Sequence, residues 1–378
     1  MQCLHIGPGL DNIDQGNAQT GHKLGRLWTR RTCLLAALVF ASPSVAAPPP
    51  QVHRIIAVGD LHGDFSAWQD IARAAQLVDS NGRWVGGNSV LIQTGDVVDR
   101  GPDSLKIVQD LMRLQHEAAS AKGQVIALVG NHEAMNVIGD LRYVSAGDYA
   151  AFADRSSERL RDRVYESNKA SIQAAYRKHD PQMTDGAIRQ AWIDATPLGS
   201  IEHRIAWGPR GEIGQWVIHN PAIAQIDGNL FVHGGISPAY VHLTIDEINR
   251  RVSDALFTRA TDPQAIINDP LGPLWYRGLA APNGDAADRT AAGPGLPAAP
   301  TEPPVEDQIR SVLAAYGAKR IVIGHTPVLS GIAVLYDQRL ICIDNGITSV
   351  YGGKVSYLEI LDGIPIPHVV ERSQTPMK

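Results

Sequence analysis

The chain has 378 residues, a formal net charge of −5 at pH 7, 44% hydrophobic and 19% charged residues; that length allows about two domains or one large one, and the composition excludes a wholly disordered or collagen-like chain. The mild acidity argues against a nonspecific nucleic-acid binder, which needs a basic surface to release counterions from phosphate. Three cysteines, Cys3, Cys33 and Cys342, are too few and too scattered for a disulfide framework or a thiolate metal site, so any metal must be held by nitrogen and oxygen.

The first predicted element is an N-terminal extension and signal peptide over residues 1–47. Lys23, Arg26, Arg30 and Arg31 precede an apolar run at 33–40, and small residues follow at 44–47, the order of a secretory signal cleaved near Ala46 or Ala47. The run falls well short of the roughly 20 residues that a membrane-crossing helix needs, so no stable membrane anchor is expected. The pair Arg30 and Arg31 resembles a twin-arginine export signal; the match is loose, and ordinary secretion fits the segment as well. Either route predicts a secreted, periplasmic protein whose mature form keeps Cys342 alone, read as a small buried apolar residue between Ile341 and Ile343.

From residue 53 onward one unit recurs: a strand-length apolar run that ends in glycine and a polar side chain. Residues 55–58 lead to Gly59 and Asp60, 90–92 to Gly95 and Asp96, 125–129 to Gly130 and Asn131, 230–232 to His233 and Gly234, and 321–323 to Gly324 and His325. Runs without polar alternation predict strands covered on both faces, and functional groups in open α/β sheets collect beyond the carboxyl ends of such strands. The polar residues are therefore expected to converge on one edge. Amphipathic segments over 65–77 and 104–119 predict helices packed on the sheet. Residues 148–210 are charged and Ala-rich, with helical spacing and no strand signal until Trp216, Val217 and Ile218. They read as an inserted helical cap, either a solvated surface insertion or a part of substrate selection. Residues 281–305, rich in Pro, Ala and Gly, read as a mobile loop, and 362–378 as a C-terminal tail.

The motifs GDLHG (59–63), GDVVDRG (95–101), GNHE (130–133), HGG (233–235) and GHT (324–326) occur in this order. With them the chain resembles the calcineurin-like metallophosphoesterases, and within these the phosphoprotein-phosphatase superfamily. HEAMNVIGDLRYV (132–144), the segment 211–238, GPLWYRG (272–278), GHTP (324–327) and DNGITSVYGG (344–353) bring it nearer the bacterial-type Shewanella-like protein phosphatases. The likeness spans about residues 53–361. It implies an α/β four-layer sandwich, two mixed β-sheets flanked by helices, with a helical insertion. It also implies two divalent ions, manganese with iron or zinc as alternatives: Asp60 and His62 on the first, Asp96 bridging, and Asn131, His233 and His325 on the second. These donor types suit such ions independently, being carboxylate, amide and imidazole with no thiolate. Two ions held by two carboxylates leave a surplus of about two positive charges to attract a phosphate dianion.

The same resemblance implies a metal-dependent phosphomonoesterase that works by in-line attack of a metal-bridging hydroxide. Arg100 and Arg277 would grip the phosphoryl oxygens through their guanidinium forks. His132 would protonate the leaving oxygen, with Asp99 orienting it. Glu133 reads as support for the site rather than a ligand, and Asp344 and Tyr351 are left outside the catalytic set as parts of a turn. The expected substrate is a phosphorylated protein or peptide. The alternative is a broad-specificity, nucleotide or dinucleoside-polyphosphate phosphohydrolase that scavenges phosphate from small esters. A non-catalytic module that binds phosphorylated ligands is disfavoured, because binding alone has no use for a general acid.

Overall fold

The computed structural model describes residues 54–280, 303–348 and 350–372. The first apolar run forms β1 (Arg54–Val58), which pairs in parallel with β2 (Val90–Gln93), and β2 pairs in parallel with β3 (Gln124–Ala127). On the other side of β1 lie β9 (Ser356–Leu361) and β10 (Ile364–Val369), both antiparallel, in the order β10-β9-β1-β2-β3. A second mixed sheet is built from β4 (Ile223–Ile226), β5 (Asn229–Val232), β6 (Arg320–Ile323), β7 (Ala333–Leu335) and β8 (Leu340–Cys342), in the order β4-β5-β6-β8-β7. Its three inner strands are parallel and its edges antiparallel.

The parallel strands β1, β2, β5, β6 and β8 are buried on both faces along nearly their whole length, whereas β3 is open at Gln124 and half-buried at Ile126. Ile55, Ala57, Val90 and Ile92 of the first sheet join Phe231, Val322 and Ile341 of the second in one apolar cluster between the sheets. The intervening Ile56, Val58, Leu91, Leu230, Val232, Ile321 and Ile323 belong to the other cluster, shared with the helices. Against the first sheet lie α1 (Phe65–Ala74), started by the Asp64 carboxylate accepting from Ala67 N, and α2 (Ser104–Ser120), with Ile107, Val108, Leu111, Leu114 and Ala118 buried at helical spacing. Phe231 is fully buried between the sheets. Phe231→Ala is expected to lower unfolding stability by about 3–5 kcal/mol in denaturant titrations; a loss under about 1 kcal/mol would show that the sheets close without it.

The sequence reading closed the domain at Leu361, and the structure extends it. Asp362 and Gly363, at φ 49° and 82°, form a two-residue turn that returns the chain as β10, the geometry that Asp-Gly favours. Asp227 and Gly228, at φ 50° and 80°, do the same between β4 and β5. A second correction concerns Trp216, Val217 and Ile218, expected as a strand. They lie in α8 (Glu212–His219), where Ile213, Val217 and Ile218 are buried at helical spacing, since a short apolar run does not distinguish strand from buried helix.

Between α3 (Asn131–Ile138) and α8 come α4 (Ala146–Phe152), α5 (Ser157–His179), α6 (Asp185–Ala195) and α7 (Ser200–Trp207). The described chain divides into two compact units, one of them Arg163–Trp192, the other the two-sheet body with the rest of the described residues. The smaller unit is made of parts of α5 and α6; within it the Tyr165 and Trp192 rings meet at 5.2 Å and Arg189 lies over Tyr165 at 5.7 Å. The body also contains α9 (Ile245–Phe257) and α10 (Val305–Tyr316). Cys342 is buried in β8. The expected signal segment and, up to residue 302, the expected mobile loop lie outside the described residues. Among the described residues no helix is long and apolar enough to cross a membrane.

Candidate active site

Five strands deliver the site. Asp60 and His62 follow β1, Asp96 follows β2, Asn131 follows β3 and opens α3, His233 follows β5, and His325 follows β6. All leave the carboxyl ends of parallel strands, where side chains project past the sheet. The loops are tied together through the backbone: Leu61 N and His62 N both donate to Asp96 O at 3.0 Å, and Gly101 N donates to His62 O at 3.0 Å. His62, Asp96, Asp99, Arg100 and His325 all have φ between 42° and 69°, a left-handed conformation that costs non-glycine residues energy and gathers at functional sites.

Two donor groups share Asp96: His62, Asp96 and His132, and Asp96, His233 and His325. Asp96 Oδ2 lies 3.9 Å from His62 Nε2, 3.3 Å from His233 Nε2 and 3.8 Å from His132 Nε2. Asp60 Oδ2 is 4.0 Å from His62 Nε2, its Oδ1 accepts from His325 N at 3.1 Å, and Asn131 Oδ1 is 2.9 Å from His233 Nε2. Backbone carbonyls set the tautomers. His62 Nδ1 meets Val98 O and His233 Nδ1 meets Thr94 O, each at 2.9 Å, while His325 Nε2 meets Trp275 O at 3.2 Å. His62 Nδ1 and His325 Nε2 therefore carry the proton, and the other nitrogen of each of these two rings keeps a lone pair.

The charges fit a cation site. Burial pushes His62 down to about 3, and burial together with His233 and Arg277 holds His325 well below its usual value, so both rings are neutral donors. Burial, then Asp344 and Asp96, raises the Asp60 carboxyl well above the usual range. Burial opposes the Asp96 charge, but His233 and His132 outweigh it and hold Asp96 well below that range. Crowded, buried carboxylates facing imidazole lone pairs are what divalent ions compensate. Glu133 braces the group from behind: its carboxylate accepts from Asp96 N at 2.8 Å and from Val97 N and Gly130 N at 2.9 Å, and burial followed by Asp96 raises it to about 7. Gly130 allows this approach, since a Cβ there would lie 2.3 Å from Asp96 Oδ1.

His132 is fixed at both ends. Its backbone N donates to Asp96 Oδ1 at 2.9 Å, and its ring Nδ1 lies 2.6 Å from Asp99 Oδ2. Asn136, one helical turn later, donates to Asp99 Oδ1 at 3.0 Å and to His132 O at 2.9 Å. Burial alone would lower the His132 pKa, but Asp96 and then Asp99 raise it. Arg100 Nη2 stands 3.4 Å from His132 Nε2. Arg277 Nη1 donates to His325 O at 2.7 Å and to Thr326 Oγ1 at 3.3 Å. The structure thus gathers every residue singled out in the motifs. It adds Asn136, Thr94 and Trp275, of which only Asn136 had a readable signal, its spacing of four from His132 on a helix.

A two-sheet sandwich with oxygen and imidazole donors and two arginines beyond its parallel strands defines a metal-dependent phosphoesterase. The sequence model of the family described as Calcineurin-like phosphoesterase matches residues 53–329, and the chain belongs to that family. It is 31% identical over 315 residues to an uncharacterized protein of Schizosaccharomyces pombe, covering 81% of this chain and 76% of that one. With Shewanella-like protein phosphatase 2 of Arabidopsis thaliana it shares 29% identity over 300 residues, 78% of this chain and 71% of the other. A cold-active protein-tyrosine phosphatase of a psychrophilic Shewanella species has the same fold, with TM-score 0.57, 22% identity and 85% and 81% of the two chains covered. The family is the one the motifs resemble, and the protein is a hydrolase of phosphoric esters whose His/Asp clusters could hold the divalent ions that its family uses.

Proposed function

We propose that this hydrolase is a phosphomonoesterase for phosphorylated proteins or peptides, exported to the periplasm by the signal segment. The observation that carries the reaction is His132, held through Nδ1 by Asp99 at 2.6 Å with Nε2 turned toward Arg100. An imidazole so held is a general acid: Asp99 favours its charged form, and Nε2, which carries a proton in that form, delivers it to a leaving oxygen. In this reading Asp60, His62 and Asp96 hold one divalent ion, and Asp96, Asn131, His233 and His325 hold the second. Two such ions, manganese with iron or zinc as alternatives, would neutralise phosphoryl charge and acidify the attacking water. Arg100 binds phosphoryl oxygens beside His132. Arg277 does so as well, held in place by its Nη1 donating to the His325 carbonyl. A protein substrate draws support from the Arabidopsis relative, named as a protein phosphatase.

The test is initial rates on matched phosphotyrosine and phosphoserine peptides, with the protein chelated and then restored with manganese, iron or zinc. Chelation is expected to remove turnover and at least one ion to restore it on a peptide. Restored turnover of nucleotides or small esters, with both peptides inert, would remove the protein substrate and leave the phosphoesterase.

A further inference from the structure

We propose that Tyr143 and Tyr351 form a two-sided aromatic clamp that holds the Arg100 guanidinium in its phosphoryl-binding orientation without neutralising it. The guanidinium carbon lies 5.0 Å from the centroid of the Tyr143 ring and 5.0 Å from that of the Tyr351 ring. Both distances are within the range at which a ring face attracts a cation. The rings come from distant parts of the chain, Tyr143 from the segment after α3 and Tyr351 from the segment between β8 and β9. The backbone fixes one side of the clamp, since Arg100 N donates to Tyr143 O at 3.0 Å.

What holds Arg100 otherwise is little. Its Nε is buried without a hydrogen-bond partner, and its side chain's one polar contact among the described residues is Nη2 to His132 Nε2 at 3.4 Å. No carboxylate among the described residues pairs with it. A long side chain with about 2 kcal/mol of rotamer freedom needs restraint to present a fixed fork. A carboxylate would provide that restraint but would compete with the phosphoryl group for the same donors. Two ring faces restrain the planar cation and leave its net charge and its N–H edge to the substrate. The rings also border the rest of the site: Tyr143 meets His132 at 5.0 Å and Tyr351 meets His62 at 6.0 Å. Neither phenol hydroxyl has a hydrogen bond among the described residues, so the ring faces and not the hydroxyls do the holding. Tyr143 and Tyr351 are thus positioning residues that act through Arg100, and the inference rests on Arg100 binding the phosphoryl group.

The experiment is a double-mutant cycle. Tyr143→Leu, Tyr351→Leu and the two Tyr→Phe variants are made in the parent and in Arg100→Ala, and kcat and KM are measured on an aryl phosphate and a phosphoserine peptide, with inhibition by inorganic phosphate. Each Leu variant is expected to lower kcat/KM about tenfold, equally on both esters, and to weaken phosphate inhibition. The Phe variants, which keep the ring face, are expected to stay within about twofold of the parent. In Arg100→Ala the Tyr→Leu changes are expected to cost nothing further. Leu variants with parental kinetics while Arg100→Ala is crippled would overturn the clamp alone. Leu losses that persist undiminished in Arg100→Ala would overturn it too, by showing that the rings touch substrate directly. An Arg100→Ala protein with parental kinetics would overturn the phosphoryl-binding role of Arg100 and the clamp with it. Tyr143 is 41% exposed, so its Leu variant is expected to fold, and its melting temperature provides the check.

Discussion

Asp96→Asn is expected to lower kcat/KM by about a thousandfold or more, equivalent to about 4 kcal/mol, and to leave fewer than two divalent ions per chain. Asp96 is the donor common to both groups, with Oδ2 within 3.9 Å of His62, His132 and His233. Asparagine keeps the shape and can keep the oxygen that accepts from His132 N at 2.9 Å. Its amide nitrogen then stands where Oδ2 was and presents hydrogens to positions where a cation needs lone pairs. The fold should survive, because Leu61 N and His62 N bind the backbone carbonyl of residue 96 and not its side chain. Elemental analysis after dialysis and steady-state rates measure the two effects together. Two retained ions with parental activity would remove Asp96 from the ligand set.

The sequence discloses most of this site because the loops that carry it are short and follow strands with two buried faces. Ile55 to Val58 and Ile321 to Ile323 are apolar at every position because alternate residues enter the inter-sheet and helix-facing clusters. Such a run can end only where the chain leaves the sheet, and there Asp60 and His325 stand. Where pattern and packing part, the reading fails. β10 carries Pro365 and Pro367, which would spoil an inner strand but suit an edge, where the missing N–H groups point away from the partner. The Asp362–Gly363 turn was its available signal. Trp216, Val217 and Ile218 carry the composition of a strand and the burial of a helix. Tyr143 and Tyr351 were not legible in any local window, since what they do depends on Arg100, which lies far from both in sequence and is met only through the fold. Tyr351 stands in a segment that also makes a turn, its N donating to Thr348 O at 3.0 Å, so the turn accounted for the motif without the ring.

His132→Ala is expected to damage phosphoserine hydrolysis far more than phosphotyrosine hydrolysis. A phenol leaves with a pKa of about 10, whereas a serine alkoxide is nearly as basic as hydroxide, whose parent water sits at about 15.7. The proton that Nε2 delivers therefore matters most for the alkoxide. A general acid contributes typically 10²–10⁴-fold, so a loss of about a thousandfold is expected on phosphoserine and one closer to tenfold on phosphotyrosine. The pH profile carries the same signature. Burial acts to lower the His132 pKa, yet Asp96 and Asp99 raise it above its ordinary value of 6.5; the Asp99 contact is the part that persists when cations engage Asp96. A raised pKa keeps the acid form populated above pH 6.5, so the parent's phosphoserine rate should fall only as pH rises through the raised value. That alkaline limb should vanish in His132→Ala, while Asp99→Asn should shift it to lower pH because the hydrogen-bonded anion is gone. Equal losses on both peptides, with ion content unchanged and the limb intact, would show that His132 positions the ester and that the proton comes from elsewhere.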